Sequence, residues 1–256
     1  MTDLAHRRAR TAANRERPQK TAMLVAQRIV SDITEQNRQV GDRLSPERVM
    51  LEEYQVGRGT LRESLRFLEL QGVISLKPGP GGGPIVEKPD ASHLATSLIL
   101  LLQFEQAPFR SILETRAALE PLMARLASQR IDGQHLGLLK ESVTTMAEHI
   151  SDQHVFLETN KNFHDVIAWG SGNTVFGYLV DALLGILDGT VLGIDYPEHR
   201  RRTVLTRHST IYDAIAASDG DTSEESMREH IAEMTRYLEK KFASTMDAPV
   251  TWSLVR

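Results

Sequence analysis

Strand-like sequence is confined to one place in this chain. Val73-Ile74-Ser75-Leu76 and Ile85-Val86 read as two short strands. Between them lies Lys77-Pro78-Gly79-Pro80-Gly81-Gly82-Gly83-Pro84, a run that only a turn or loop accommodates. Elsewhere apolar residues recur at helical spacing. Met23, Val25, Ala26, Ile29, Val30 and Ile33 predict a helix from Gln19 to about Gln39, stopped by Gly41. Ser45 followed by Pro46 predicts an N-cap and first helical residue, opening a helix to about Glu53. A turn through Tyr54-Gln55-Val56-Gly57 leads to a third helix with Leu61, Leu65 and Leu68 on one face, ended by Gly72. Three helices and a hairpin are the layout of a winged helix-turn-helix.

After Asp90 the strand signals vanish. Breaks near Ala107-Pro108, Asp132-Gly133, Ser151-Asp152, Gly170-Ser171-Gly172, Tyr196-Pro197 and Asp219-Gly220 divide the rest into seven helices, an antiparallel all-α bundle. The expected fold is therefore mainly α. Residues 1–18 form a basic flexible arm, 19–89 the winged helix-turn-helix, 90–244 the helical domain and 245–256 a tail. Val175–Ile194 is the most apolar long stretch, but it carries Asp181 and Asp188 and reads as a bundle helix rather than a membrane span. Gly185, Gly189 and Gly193 in it read as close packing or a cavity wall.

Charge divides at the same point. The whole chain is −4, a sign that taken alone argues against nucleic acid. Residues 1–90 hold 15 Lys and Arg against 12 Asp and Glu, whereas the remainder holds 15 against 22. A basic head and an acidic body imply a division of labour. The absence of cysteine excludes disulfide scaffolds, thiolate metal sites and cysteine nucleophiles. The basic N-terminus has no apolar run after it, so it is no signal peptide, and a cytoplasmic protein is expected.

The head carries a recognisable constellation. Leu44-Ser45-Pro46-Glu47-Arg48, then Val56-Gly57-Arg58-Gly59-Thr60-Leu61-Arg62-Glu63-Ser64-Leu65-Arg66-Phe67-Leu68-Glu69, then Gly72-Val73-Ile74, resembles the DNA-binding domain of GntR-type bacterial regulators. A helix lying in the major groove reads bases with donors at its N-terminal end. Arg58 and Arg62 share one face there, and arginine makes the bidentate contact to guanine. The resemblance implies operator contacts from Arg48, Arg58, Gly59, Thr60 and Arg62, with the wing at Gly81 and Gly82 entering the minor groove. Each arginine could alternatively be a solvated helix face paired with Glu63 or Glu69. Gly57 stands where the family carries Ser or Thr, which removes a hydroxyl contact to phosphate.

In the body, His164, His208 and His230 fall on three different predicted helices, each beside apolar positions that can aim it inward. This half is similar to the FCD effector domain of the FadR subfamily. The resemblance implies a divalent metal on these three histidines and on a carboxylate four residues before the first, where this chain has Asn160. Three neutral imidazoles remain a competent zinc or nickel set, with Asn160 offering a neutral oxygen as a weak ligand. Arg116 lies in Glu114-Thr115-Arg116-Ala117-Ala118-Leu119-Glu120-Pro121, similar to the family's E-x-R-x-x-L-E-P, and is expected either to hold an anionic effector or to pair with Glu120. Asn160, His164, His208 and His230 join it as effector-binding residues. His149 and His154 fit no ligand spacing and read as surface residues.

The expectation is a bacterial homodimeric repressor that binds a short palindromic double-stranded DNA operator and is modulated by a small carboxylate, without membrane attachment and without catalytic residues. Three alternatives stand beside it. They are a metal-free sensor of an acyl-CoA or lipid-like ligand, a metal-dependent hydrolase with a three-histidine centre, and an architectural DNA binder with no effector. Against the hydrolase, no acidic residue lies at a motif position suited to a general base.

Overall fold

The computed structural model describes residues 20–79, 82–187 and 194–252. The chain divides into two compact units, Met1–Asp90 and Ala91–Arg256. The expected basic arm, Gly81 at the wing tip, and Gly189 and Gly193 lie outside the described residues.

In the first unit, helix α1 covers residues 20–35 and buries Ala22, Val25, Ala26 and Ile29, one face at a 3–4 residue period. It ends earlier than Gly41. Asn37 takes the left-handed conformation, with φ 51°, one that a short polar side chain tolerates. Gly41, at φ 92°, instead turns the chain along the wing, where its N–H donates to the Val86 carbonyl at 2.9 Å. Helix α2 (Glu47–Tyr54) starts one residue later than expected: Pro46 is the capping residue, and Ser45 makes no side-chain cap. Helix α3 (Arg58–Leu70) buries Leu61, Leu65 and Leu68 as its spacing predicted. Strands β1 (Ile74–Lys77) and β2 (Gly83–Val86) pair antiparallel, Ile74 opposite Val86 and Lys77 opposite Gly83. Ile29, Met50, Leu61, Leu68 and Ile74 meet in one core. Two polar ties fix α1 against the other helices. The Ser64 hydroxyl donates to the Ala22 carbonyl at 2.8 Å, and the Tyr54 hydroxyl donates to Asp32 at 2.6 Å.

Among the described residues, the named elements of the second unit are all helices: α4 (Ser92–Phe104), α5 (Arg110–Arg130), α6 (Gly133–Glu148), α7 (Gln153–Gly170), α8 (Thr174–Ile186), α9 (Glu198–Ala216), α10 (Gly220–Lys241) and the short α11 (Ala243–Asp247). Asp132, Asp152, Asn173 and Asp219 cap α6, α7, α8 and α10 by accepting backbone N–H groups of the first turn. This is why the helix breaks were visible in the sequence. Helix α5 runs through the bundle, packed on α7, α9 and α10.

Two expectations need correction. The long apolar helix is shorter than Val175–Ile194 suggested, because α8 ends at Ile186. The residues taken as a tail are partly core. Met246 and Val250 are fully buried, and the Val250 N–H donates to the Ala107 carbonyl at 2.9 Å. Apolar residues too sparse to show a helical period were still enough to close one end of the core. No described helix is long and apolar enough to cross a membrane.

Candidate DNA-reading face and buried histidine centre

At the start of α3, Arg58 and Gly59 are exposed and Thr60 is half-buried. Gly57 is the capping residue of α3 and supplies no side-chain bond. Arg62, one turn on, is exposed, and Arg48 is exposed on α2. The partner of Arg62 is neither Glu63 nor Glu69. Its Nε donates to Glu47 Oε1 at 3.1 Å and its Nη2 to Oε2 at 3.4 Å, from α2. Glu69 instead pairs with Arg66 at 3.3 Å. The glycines differ in what they permit. A Cβ on Gly57 or Gly59 would meet nothing within 4 Å, whereas one on Gly82 would lie 2.1 Å from the Lys77 carbonyl oxygen. Gly82 is therefore glycine because the hairpin closes on it.

The second unit brings together three residues separated by 44 and 22 positions. His164 from α7, His208 from α9 and His230 from α10 are all at least 98% buried. Their Nε2 atoms converge, 3.3 Å from His208 to His230 and 3.3 Å from His230 to His164. Phe163 stacks flat on the His208 ring, with centroids 3.7 Å apart, and sets its plane.

Burial disfavours the imidazolium, so the pKa of His164 is lowered, and those of His208 and His230 are lowered well below the usual histidine value. For His208 and His230 the neighbouring imidazoles add to that effect. Neutral rings meeting through their Nε2 atoms direct lone pairs at a common point, an arrangement a cation relieves. Zinc at about 2.0–2.1 Å from each nitrogen would separate tetrahedral ligands by roughly 3.3–3.4 Å, which is the spacing of His230 from each of the other two. Among the described residues, these three form the one group of histidine and acidic side chains with such geometry.

Sequence reasoning missed one member of the site. Glu120, from α5, lies with Oε2 at 2.5 Å from Nδ1 of His164. Its Oε1 accepts from Arg116 Nε one turn earlier in the same helix. Burial works to raise the Glu120 pKa, yet the charge of Arg116 beside it holds it below the usual carboxylate range. From sequence, Glu120 reads only as a partner for Arg116. The signal that could have found it was an acid between Leu119 and Pro121 on a buried helix face. A carboxylate therefore does sit beside the centre, with Oε1 bonded to Arg116 and Oε2 in close contact with His164.

Next to this centre lies a cavity of about 270 Å³. Arg116 and Asn160 line it with Leu113, Tyr196, Leu238 and Met246, and Gly185 forms part of its wall. Arg116 Nη2 and Asn160 Oδ1 are both buried and without a hydrogen-bond partner. His149 and His154 are exposed as expected, but His154 reaches the cavity rim.

Comparison with known proteins agrees with both halves. Residues 21–82 match the profile described as bacterial regulatory proteins, gntR family, and residues 111–233 match the FCD domain. The chain is 29% identical over 226 residues to the HTH-type transcriptional regulator YcbG of Bacillus subtilis (strain 168), covering 88% of this chain and 91% of that protein. It is 25% identical over 207 residues to the galactonate operon transcriptional repressor of Escherichia coli (strain K12), covering 78% and 89%. Among solved structures, Streptococcus agalactiae GntR superposes with a TM-score of 0.66 at 26% identity, over 84% of this chain and 99% of that one. Winged helix, FCD domain and relatives together make this chain a member of the gntR family of bacterial regulatory proteins, a DNA-binding transcriptional regulator and not an enzyme.

Proposed function

We propose that this regulator is a homodimeric repressor whose operator binding is controlled by a small organic anion, with a divalent metal on His164, His208 and His230. The convergence of three buried, neutral imidazoles, with His230 Nε2 at 3.3 Å from both of the others, carries the metal part of this reading. Zinc or nickel suits three imidazoles. Asn160 supplies a buried neutral oxygen to complete the set, which leaves it one negative charge short of a carboxylate.

Arg116 carries the effector part. One edge of its guanidinium is committed to Glu120, while Nη2 is buried and unpartnered on a residue that lines the cavity. A carboxylate is the group that such a donor takes. The remaining walls are largely apolar, so the ligand carries an apolar part. At about 270 Å³ the cavity is too small for a whole acyl-CoA.

On the DNA side, Arg58 and Arg62 would read base edges in the major groove while Thr60, Gly59 and Arg48 hold phosphates. The wing at Gly81 and Gly82 would enter the adjacent minor groove. Two copies impose a palindromic operator, bound in the cytoplasm. The relatives named as repressors support repression as the sign of control. An effector must bind the DNA-competent and DNA-incompetent arrangements with different affinity.

The test is elemental analysis of protein purified without an affinity tag, followed by thermal shifts across a panel of organic acids. About one equivalent of metal, lost in a His164→Ala/His208→Ala variant, is expected. An anion shift abolished by Arg116→Met is expected with it. Metal-free protein that still responds to anions would remove the metal from this reading.

A further inference from the structure

We infer that Glu120 is a positioning residue of the histidine centre, fixing which nitrogen of His164 faces the cation; this rests on the proposed metal reading of His164, His208 and His230. Glu120 Oε2 stands 2.5 Å from His164 Nδ1. Both side chains are at least 97% buried, so no water competes for either.

A negative charge at that distance favours the ring tautomer that carries its proton on Nδ1, facing the acid. The only remaining lone pair of the ring is then on Nε2, the atom directed at His230. Without the acid, a neutral imidazole is free to carry its proton on Nε2, where it would point into the centre and block a ligand bond. The same negative charge strengthens Nε2 as a donor, since a metal-bound imidazole shares its positive charge with the acid behind it.

Arg116 fixes the carboxylate in turn. It holds Oε1 and is itself buried, so Glu120 is neither free to rotate away nor left as an uncompensated charge. Arg116 also lines the cavity. The anion anchor and the histidine centre thus share one acid.

The experiment titrates metal-free full-length protein with Co²⁺ against a chromophoric chelator and records the visible spectrum of the bound ion. Glu120→Gln preserves shape but removes the charge, and it is expected to weaken Co²⁺ binding by about 10–100-fold and to alter the spectrum. Glu114→Gln, exposed on the same helix, is expected to change neither. If Glu120→Gln does not fold, Arg116→Met/Glu120→Gln removes the unpaired charge and is titrated in its place. Co²⁺ affinity within twofold of wild type and an unchanged spectrum in the folded variant would overturn the inference, provided His208→Ala abolishes binding. If wild-type protein binds no Co²⁺, or His208→Ala binds it normally, the metal reading fails and this inference falls with it.

Discussion

Nε2 of His208 and Nε2 of His230 lie 3.3 Å apart across the α9–α10 interface, with both rings buried. Two neutral imidazoles can share at most one proton between these atoms, and a third ring, His164, approaches the same point. A cation bound at that point would relieve the repulsion between the lone pairs.

Removing the metal should destabilise the helical unit. With free metal at about 100 times its dissociation constant, the bound ion contributes about 2.7 kcal/mol. Chelation should therefore lower the melting temperature of wild type. His208→Ala should melt at one temperature with and without chelator, and His149→Ala, on the exposed end of α6, should behave as wild type. Differential scanning calorimetry reads all three.

Arg58→Ala should cost about 1–3 kcal/mol in operator binding and relax specificity at one base position, as expected for a base-edge contact. Arg48→Ala should weaken operator and unrelated DNA alike, and it should reduce the slope of log affinity against log salt by about one. Fluorescence anisotropy over a salt series separates the two. Equal losses on every sequence for Arg58→Ala would move that residue from reading bases to holding phosphate.

The two functionally placed glycines should respond in opposite ways. Gly59 has open space where a Cβ would go and sits in the first turn of α3, so Gly59→Ala should leave the fold intact or stabilise it by up to about 1 kcal/mol. In Gly82→Ala the new methyl would meet the Lys77 carbonyl oxygen, so the hairpin must distort and operator affinity should fall. Urea denaturation and anisotropy on the same samples compare stability with binding.

Asp219 links acid stability to the histidine centre, because it caps α10, the helix that presents His230. Its pKa is lowered, first by the Thr222 backbone N–H and then by the Thr222 hydroxyl. A depressed carboxylate contributes stability above its unfolded pKa of about 3.9, and that contribution is lost as pH falls through the lower folded value. Asp219→Ala should therefore melt below wild type at pH 7, and the gap should narrow below about pH 4. A gap that is constant with pH would mean the cap acts without its charge.

Much of the fold was legible because its signals are local. The α3 stripe of Leu61, Leu65 and Leu68, the turn from Lys77 to Pro84 and the capping residues Asp132, Asp152 and Asp219 each act within a few residues. Boundaries slipped where a distant partner decided them. Gly41 was read as a helix stop, but it serves the bond to Val86 on the wing. The 245–256 segment looked like a tail because no local pattern reveals that Val250 fills a gap beside Ala107. At the site, the partner of Arg62 was sought on its own helix, whereas Glu47 reaches it from α2.

Sequence alone determined the two-part architecture, the arginine face of α3 and the identity of the three histidines, since periodicity, turn chemistry and motif spacing are properties of neighbouring residues. That His164 and His208 each come within 3.3 Å of His230 was decided by how α7, α9 and α10 pack. Glu120 gained its place behind His164 because α5 crosses the bundle beside α7, a relation set by side-chain volumes across the whole core. Even the net charge of −4 acquired meaning only when divided between the units. A buried charge acts through what surrounds it, and those surroundings come from segments far apart in the chain.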